Sequence, residues 1–185
     1  MISEAKNPAL TYSRTAIALH WAIAALVLST IPIGLFGASS ESSAAQSATN
    51  VHKTIGILIL VLTLARVGWR LGHKPPALPE AMKPALRWIA RATHAGFYLL
   101  LLILPLSGWW MSSAVPERHT FGFGFFNIPF LPVPRGWASA GPAYFVHTTL
   151  AWLMIGLAAL HIVAALKHHF VDRDDILARM LPKRP

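Results

Sequence analysis

Five histidines lie within long apolar stretches of this chain, where an ionisable side chain is costly to bury. They are His20, His52, His94, His147 and His161. A neutral imidazole offers a ring nitrogen to a metal ion and can also exchange protons near neutral pH. It can equally form a simple hydrogen bond to a neighbouring helix, so one buried histidine does not indicate a site. The spacing of the five is therefore what distinguishes metal ligands from packing contacts.

The separation of His147 and His161 is the most informative spacing. The two are 14 residues apart, which in an α-helix corresponds to about 3.9 turns and about 21 Å of rise, so both side chains point to nearly the same face. One helix would thus serve two sites at different depths. If the chain crosses a membrane four times, His20 and His94 share the depth of His161, and His52 shares that of His147.

Two histidines on facing helices supply the axial imidazoles that the iron of a b-type haem requires. Pairing by depth joins His20 to His161 and His52 to His147, so the sequence predicts two haem b groups. Because the chain has no cysteine, iron–sulfur clusters and thioether-attached haem are excluded. Zinc requires three or four ligands at one depth, and the apolar stretches contain no Asp or Glu. An alternative interpretation is a metal transporter, or a structural membrane protein whose histidines bind no iron.

His94 and His168 have no partner in this pairing scheme. Both lie toward the end of the bundle that holds His20 and His161, where either ring could donate a hydrogen bond to a quinone carbonyl or contact the haem. A packing contact between helices explains His94 equally well. Solvation at the membrane interface explains His168. We name both residues as the candidate quinone or haem environment beside these simpler explanations.

Four apolar stretches would position the histidines. They cover approximately residues 16–36, 51–71, 88–112 and 143–170, each long enough at about 1.5 Å per residue to cross a hydrocarbon layer of about 30 Å. With 55% hydrophobic and 12% charged residues, the 185-residue chain is too apolar for a soluble domain. We therefore predict an all-α, integral membrane four-helix bundle in lipid, forming one domain over residues 1–185.

The formal net charge of +9 is explained by membrane orientation, so we expect no nucleic-acid partner. One side of the membrane has only Lys53, near the start of the second span, together with Arg118 and Arg135. Twelve basic residues flank the other side: Lys6, Arg14, Arg70, Lys74, Lys83, Arg87, Arg91, Lys167, Arg173, Arg179, Lys183 and Arg184. The positive-inside rule then predicts that both termini face the cytoplasm, an N-in/C-in topology.

Short motifs around the histidines resemble the bacterial cytochrome b561 family, which is related to the cytochrome b subunits of nickel–iron hydrogenase and formate dehydrogenase. The motifs are Tyr12-Ser13-Arg14, Leu19-His20-Trp21, Val51-His52-Lys53, Thr93-His94-Ala95, Val146-His147-Thr148 and Leu160-His161-Ile162, and the resemblance extends to Met180-Leu181-Pro182. It implies a di-haem cytochrome of the bacterial inner membrane that exchanges electrons with the quinone pool. The implied axial ligands are His20, His52, His147 and His161.

The short length of the chain favours the branch of stand-alone b561 cytochromes over the subunits of larger enzymes. The best-understood member of that branch is a superoxide oxidase, so the resemblance implies an oxidoreductase of the superoxide:ubiquinone type. Electrons would pass from a periplasmic donor, with superoxide as the candidate, through both haems to ubiquinone or another quinone. Lys53, Arg118, His119 and Arg135 would make the periplasmic mouth positive and attract an anion, although a few exposed cations are usually only solvated. The alternative is a cytochrome b subunit that relays electrons for a separate dehydrogenase or hydrogenase partner protein.

Overall fold

The computed structural model describes residues 11–77 and 82–181 and is helical throughout most of that length. The long α-helices are α1 (Arg14–Gly37), α2 (Ser43–Gly72), α3 (Pro84–Ala114) and α4 (Trp137–Lys167). A π-helical turn, His168–Asp172, and a 3₁₀ turn, Ala178–Met180, follow α4. The described part holds no β-strand, and each long helix is long and apolar enough to cross a membrane. The predicted all-α membrane fold is therefore confirmed. Interpretations that rest on Lys6, Pro182, Lys183 and Arg184 concern residues outside the described part.

The helices begin before the predicted apolar stretches, and serine side chains cap the start of two of them. The Ser13 side chain accepts a hydrogen bond from the Ala16 backbone N–H at 3.2 Å, which starts α1. Ser42 caps α2 in the same way through Ala45, also at 3.2 Å. Pro84 occupies the first position of α3, where its missing N–H costs no helical bond.

The helices pack unevenly, and this leaves room in the bundle. Helix α1 packs against α2, α2 against α3, and α3 against α4. Within the described residues α4 does not pack closely on α1 or α2, although two of its histidines face those helices. Large apolar side chains point mostly outward, with Phe125 92% and Leu71 85% exposed, as expected for a protein whose solvent is lipid.

The two ends of the bundle differ in character. We call the end where α1 begins and α4 ends the basic end, and the other the opposite end. At the basic end Trp21 Nε1 donates to the Met180 carbonyl oxygen at 2.6 Å, which ties the segment after α4 to α1. At the opposite end residues 115–136 fold back on α2 and α3, because Thr54 Oγ1 donates to the Gly122 carbonyl at 3.1 Å and the Leu131 N–H donates to Ser113 Oγ at 2.9 Å.

Candidate metal centre

Two histidine pairs lie one above the other inside the bundle. In the lower layer, nearer the basic end, the ring centres of His20 and His161 are 6.4 Å apart with planes inclined by 77°. In the upper layer His52 and His147 are 6.1 Å apart and inclined by 86°. The structure thus places each histidine of α4 opposite the residue with which depth alone pairs it.

These separations fit an iron atom between the rings of each pair. An imidazole nitrogen binds a metal at about 2 Å, and the ring centre lies about 1 Å behind that nitrogen, so two axial imidazoles have centres about 6 Å apart. Perpendicular aromatic rings that simply pack together also fall within about 4.5–7 Å. The ring distance is therefore one criterion, and the hydrogen bonding of the imidazoles and the space around them are two others.

The hydrogen bonds of the upper pair prepare both rings for a metal. Nδ1 of His52 donates to the Thr30 carbonyl oxygen at 3.0 Å, and Nδ1 of His147 donates to the Leu104 carbonyl oxygen at 3.1 Å. A carbonyl oxygen only accepts, so these two bonds form when the proton of each ring is on Nδ1, which leaves the lone pair of Nε2 free for a metal. The donor set is two neutral imidazoles, as a b-type haem requires.

Glycines on α1 and α3 allow the two upper rings to lie directly against helix backbone. Gly34 follows Thr30 by four residues, and a Cβ at this position would lie 2.6 Å from His52 Nδ1. Gly108 follows Leu104 by four residues, and a Cβ there would lie 2.9 Å from His147 Cε1. Both contacts are shorter than real side chains tolerate, so the same device, an accepting carbonyl and a glycine one turn later, orients each ring.

A cavity of about 410 Å³ extends between the helices beside the upper pair. Both His52 and His147 line it, as do Lys53 and Ser112. Ser112 Oγ is buried and has no hydrogen-bond partner among the described residues. A cation and an unpaired hydroxyl facing one cavity suit the carboxylate groups of a haem. By donor chemistry, ring separation and surrounding space, the upper pair fits a haem.

The lower layer contains a third histidine. The ring of His94 lies 6.1 Å from that of His161 at 68°, so by distance His161 has two candidate partners. Packing distinguishes them, because His94 is on α3, which packs directly on α4, whereas His20 is on α1, which does not. A porphyrin needs space between the helices that ligate it, so the looser packing of α1 against α4 favours His20 over His94 as the second ligand.

An arginine connects three helices next to the lower layer. Arg66 Nε donates to the Tyr98 hydroxyl at 3.3 Å, and its Nη1 donates to the Ala16 carbonyl oxygen at 3.4 Å. The Arg70 guanidinium lies over the Tyr98 ring, 5.5 Å from its centre. The sequence did not single out Tyr98, because a tyrosine in an apolar span is ordinary at helix contacts. Its position one turn after His94 was the only available signal.

The second candidate quinone residue, His168, lies outside the histidine layers. Its Nδ1 is 2.6 Å from Asp174 Oδ2 and 3.3 Å from Asp172 Oδ2. Lys167 Nζ in turn pairs with Asp172 at 2.6 Å. The structure therefore gives His94 and His168 different surroundings, one within the lower layer and one in an ion-pair cluster at the surface of the basic end.

The cations of the opposite end are joined through aromatic rings. Lys53 Nζ lies 5.6 Å from the Phe121 ring centre, Phe121 lies 6.4 Å from Phe130, and Arg118 lies 4.9 Å over Phe130. Partial removal from water lowers the pKa of Arg118 below its ordinary value, and the positive charge of Arg135 lowers this pKa further. Three cations are thus gathered on the side of the upper cavity, while His119 is exposed beside them.

Substitution of Gly34 by alanine is expected to lower the amount of haem bound per chain. The new methyl group displaces His52, since its Cβ would lie 2.6 Å from Nδ1, and this breaks the bond to Thr30. The pyridine haemochrome assay gives the count. Gly68→Ala is the matched control, because nothing lies within 4 Å of a Cβ at that position of α2, and it should bind as much haem as the wild type. Equal haem content in the two variants would show that the close approach is not needed.

The amino-acid sequence was compared with protein-family models and with known proteins, and the matches agree with one another. The family model described as prokaryotic cytochrome b561 matches residues 11–183. Cytochrome b561 homolog 2 of Escherichia coli strain K12 is 37% identical over 174 residues, which are 93% of this chain and 92% of that protein. Cytochrome b562 of Cereibacter sphaeroides is 33% identical over 184 residues, 94% of this chain and 96% of the relative. A probable superoxide oxidase CybB of Yersinia pestis is 29% identical over 176 residues, 94% and 97% of the two chains.

Proposed function

Because the chain belongs to the prokaryotic cytochrome b561 family, we propose that it carries single electrons across a bacterial membrane through two b-type haems. Membership makes the chain a multi-pass membrane cytochrome of the b type that acts in electron transport. The number of haems, their ligands, the donor and the acceptor are parts of the proposal.

The observation that carries the proposal is the pair of histidine sites stacked along α4. We assign His20 and His161 to the lower haem, and His52 and His147 to the upper one. A haem supplies a centre that gains and loses one electron. The protein holds its imidazoles neutral, keeps their rings oriented, and separates the two sites by about 21 Å of helix rise. Two such centres at different depths form a path between the two membrane faces.

Superoxide is the proposed donor at the opposite end. One relative is named a probable superoxide oxidase, and an anionic donor suits the cations gathered on the side of the upper cavity. Lys53 lines that cavity, with Arg118 and Arg135 further out, so their combined field would raise the rate of encounter with an anion. Each superoxide would lose one electron and leave as dioxygen.

A quinone is the proposed acceptor at the basic end. It takes up two electrons and two protons to become a quinol, so two superoxide anions reduce one quinone. We place the cytoplasm at this end by the positive-inside rule, and protons would come from that side. His94 lies in the lower layer and is the candidate hydrogen-bond donor to the quinone. His168, hydrogen-bonded to Asp174 at 2.6 Å, is a candidate proton carrier at the surface.

The test uses the full-length protein in liposomes that contain ubiquinone. We expect two haem b per chain, and superoxide-dependent quinol formation at two superoxide anions per quinol. The rate should fall as salt is raised from 10 to 150 mM, because the Debye length shortens from about 30 to about 8 Å. Haem-free protein would contradict the electron path. Haem-loaded protein that leaves the superoxide decay rate unchanged would contradict superoxide as donor, and stable co-purification with a dehydrogenase would then favour the relay subunit.

A further inference from the structure

A second cavity, of about 950 Å³, opens at the basic end between the start of α1 and the end of α2. Four cations line it: Arg14, Arg66, Arg70 and Lys74. No acidic side chain lines it, and none of the four forms an ion pair with a carboxylate in the described part of the chain. Like charges around one cavity raise each other's energy unless an anion compensates them. The cavity therefore has the electrostatics of an oxyanion site.

The floor of this cavity separates it from the histidine layers. Arg66 reaches across it from α2, bonded to Tyr98 of α3 and to the Ala16 carbonyl of α1 at 3.3 and 3.4 Å. None of the three lower-layer histidines is among the described residues that line the cavity. An occupant would thus enter from the membrane surface rather than from the lower histidine layer.

The wall of the cavity is built from aromatic contacts between helix ends. Trp69 Nε1 donates to Ser13 Oγ at 3.0 Å, which fastens the end of α2 to the start of α1. His73 stacks on Trp69 at 3.9 Å with planes 5° apart, and its Nδ1 donates to the Trp69 carbonyl at 3.0 Å. Tyr12, Trp21 and Tyr98 complete the aromatic lining. Tryptophan and tyrosine concentrate at the headgroup level of a membrane, so the cavity lies where lipid phosphates are found.

We propose that this cavity binds the phosphate of an anionic phospholipid. Arg70 and Arg14 offer guanidinium groups, which bind phosphate oxygens through paired hydrogen bonds, and Lys74 adds a third charge at the mouth. Basic pockets between membrane helices are suited to anionic headgroups. The acyl chains extend along the outward-facing apolar surface of α1 and α2. A haem carboxylate shares this oxyanion chemistry, so the experiment distinguishes the two sources.

The experiment titrates haem-loaded protein in phosphatidylcholine nanodiscs with increasing fractions of phosphatidylglycerol, and follows thermal unfolding by loss of the Soret band. We expect phosphatidylglycerol to raise the melting temperature of the wild type. Arg14→Gln with Lys74→Gln removes two exposed lining cations and should weaken lipid binding about five-fold for each charge lost. Lys83→Gln with Arg91→Gln removes the same charge at the same end, outside the cavity, and should leave binding unchanged.

Three results would overturn the proposal. The first is a wild type stabilised equally by phosphatidylglycerol and by added phosphatidylcholine. The second is an equal loss of lipid binding in the control pair, which would indicate a general effect of surface charge. The third is a shift of the haem midpoint potential in Arg14→Gln with Lys74→Gln in pure phosphatidylcholine, which would identify a haem carboxylate as the occupant. None of these readouts depends on superoxide or quinone turnover.

Discussion

Replacement of His147 by alanine is expected to leave one b-type haem per chain and to slow superoxide-driven quinone reduction by at least about 100-fold. His147 is half of the upper pair, and without it His52 alone faces the cavity between α2 and α4. The lower haem should stay, because His161 lies about 21 Å further along α4 and has its own partner. The upper site would then be lost as an electron carrier while the bundle remains folded.

The haem count per chain and the reduced-minus-oxidised spectrum measure this result, and far-UV circular dichroism reports whether the helices persist. His119→Ala is the matched control, because His119 lies at the same end of the molecule but is exposed and outside both pairs. It should retain both haems. If His147→Ala kept two haems, or lost both while still helical, the assignment of separate upper and lower sites would be wrong.

Replacement of His20 and replacement of His94 are expected to have different effects on haem content, although both rings lie about 6 Å from that of His161. His20→Ala should remove the lower haem, because α1 and α4 pack less closely than α3 and α4, as two helices on either side of a porphyrin would. His94→Ala should keep both haems, since α3 and α4 pack directly, and should slow quinone reduction about ten-fold if its ring donates to a quinone carbonyl.

Haem content and quinone reduction together distinguish the roles of these two histidines. His94→Gln restores a hydrogen-bond donor and should recover part of the quinone reduction rate, whereas a residue that only packs would not show this rescue. Loss of the lower haem in His94→Ala, with retention in His20→Ala, would make His94 the axial ligand. A rate unchanged in His94→Ala would move the acceptor site away from the lower layer.

Residue types and spacing along the chain were sufficient for the four membrane helices and for the two depths at which histidines occur. The length and hydropathy of each apolar stretch identify it as a membrane helix, and both depend on local composition alone. The 14-residue interval on α4 needs only helix geometry to place His147 and His161 on one face. The motifs around the histidines were also specific enough to indicate the family that the comparisons then showed.

The sequence could not decide which neighbours orient the rings. A glycine in a membrane helix is consistent with close helix packing and with room for a porphyrin, and only the fold shows that Gly34 and Gly108 each lie under a histidine ring of another helix. The accepting carbonyls of Thr30 and Leu104 carry no sequence signal, because every residue has a carbonyl group. Their role arises from the relative rotation of helices that are distant in sequence.

By itself, then, the sequence determined the solvent of this protein, the number of its helices, its family and the depth of each histidine, because these follow from composition and from the regular rise of a helix. Only the tertiary structure decided which helices touch and which stay apart. That arrangement brings His94 about as close to His161 as His20, leaves α1 only loosely packed on α4, and gathers four cations around a cavity at the basic end. Contacts between helices depend on how side chains of distant segments interlock, and no local pattern in the chain records this.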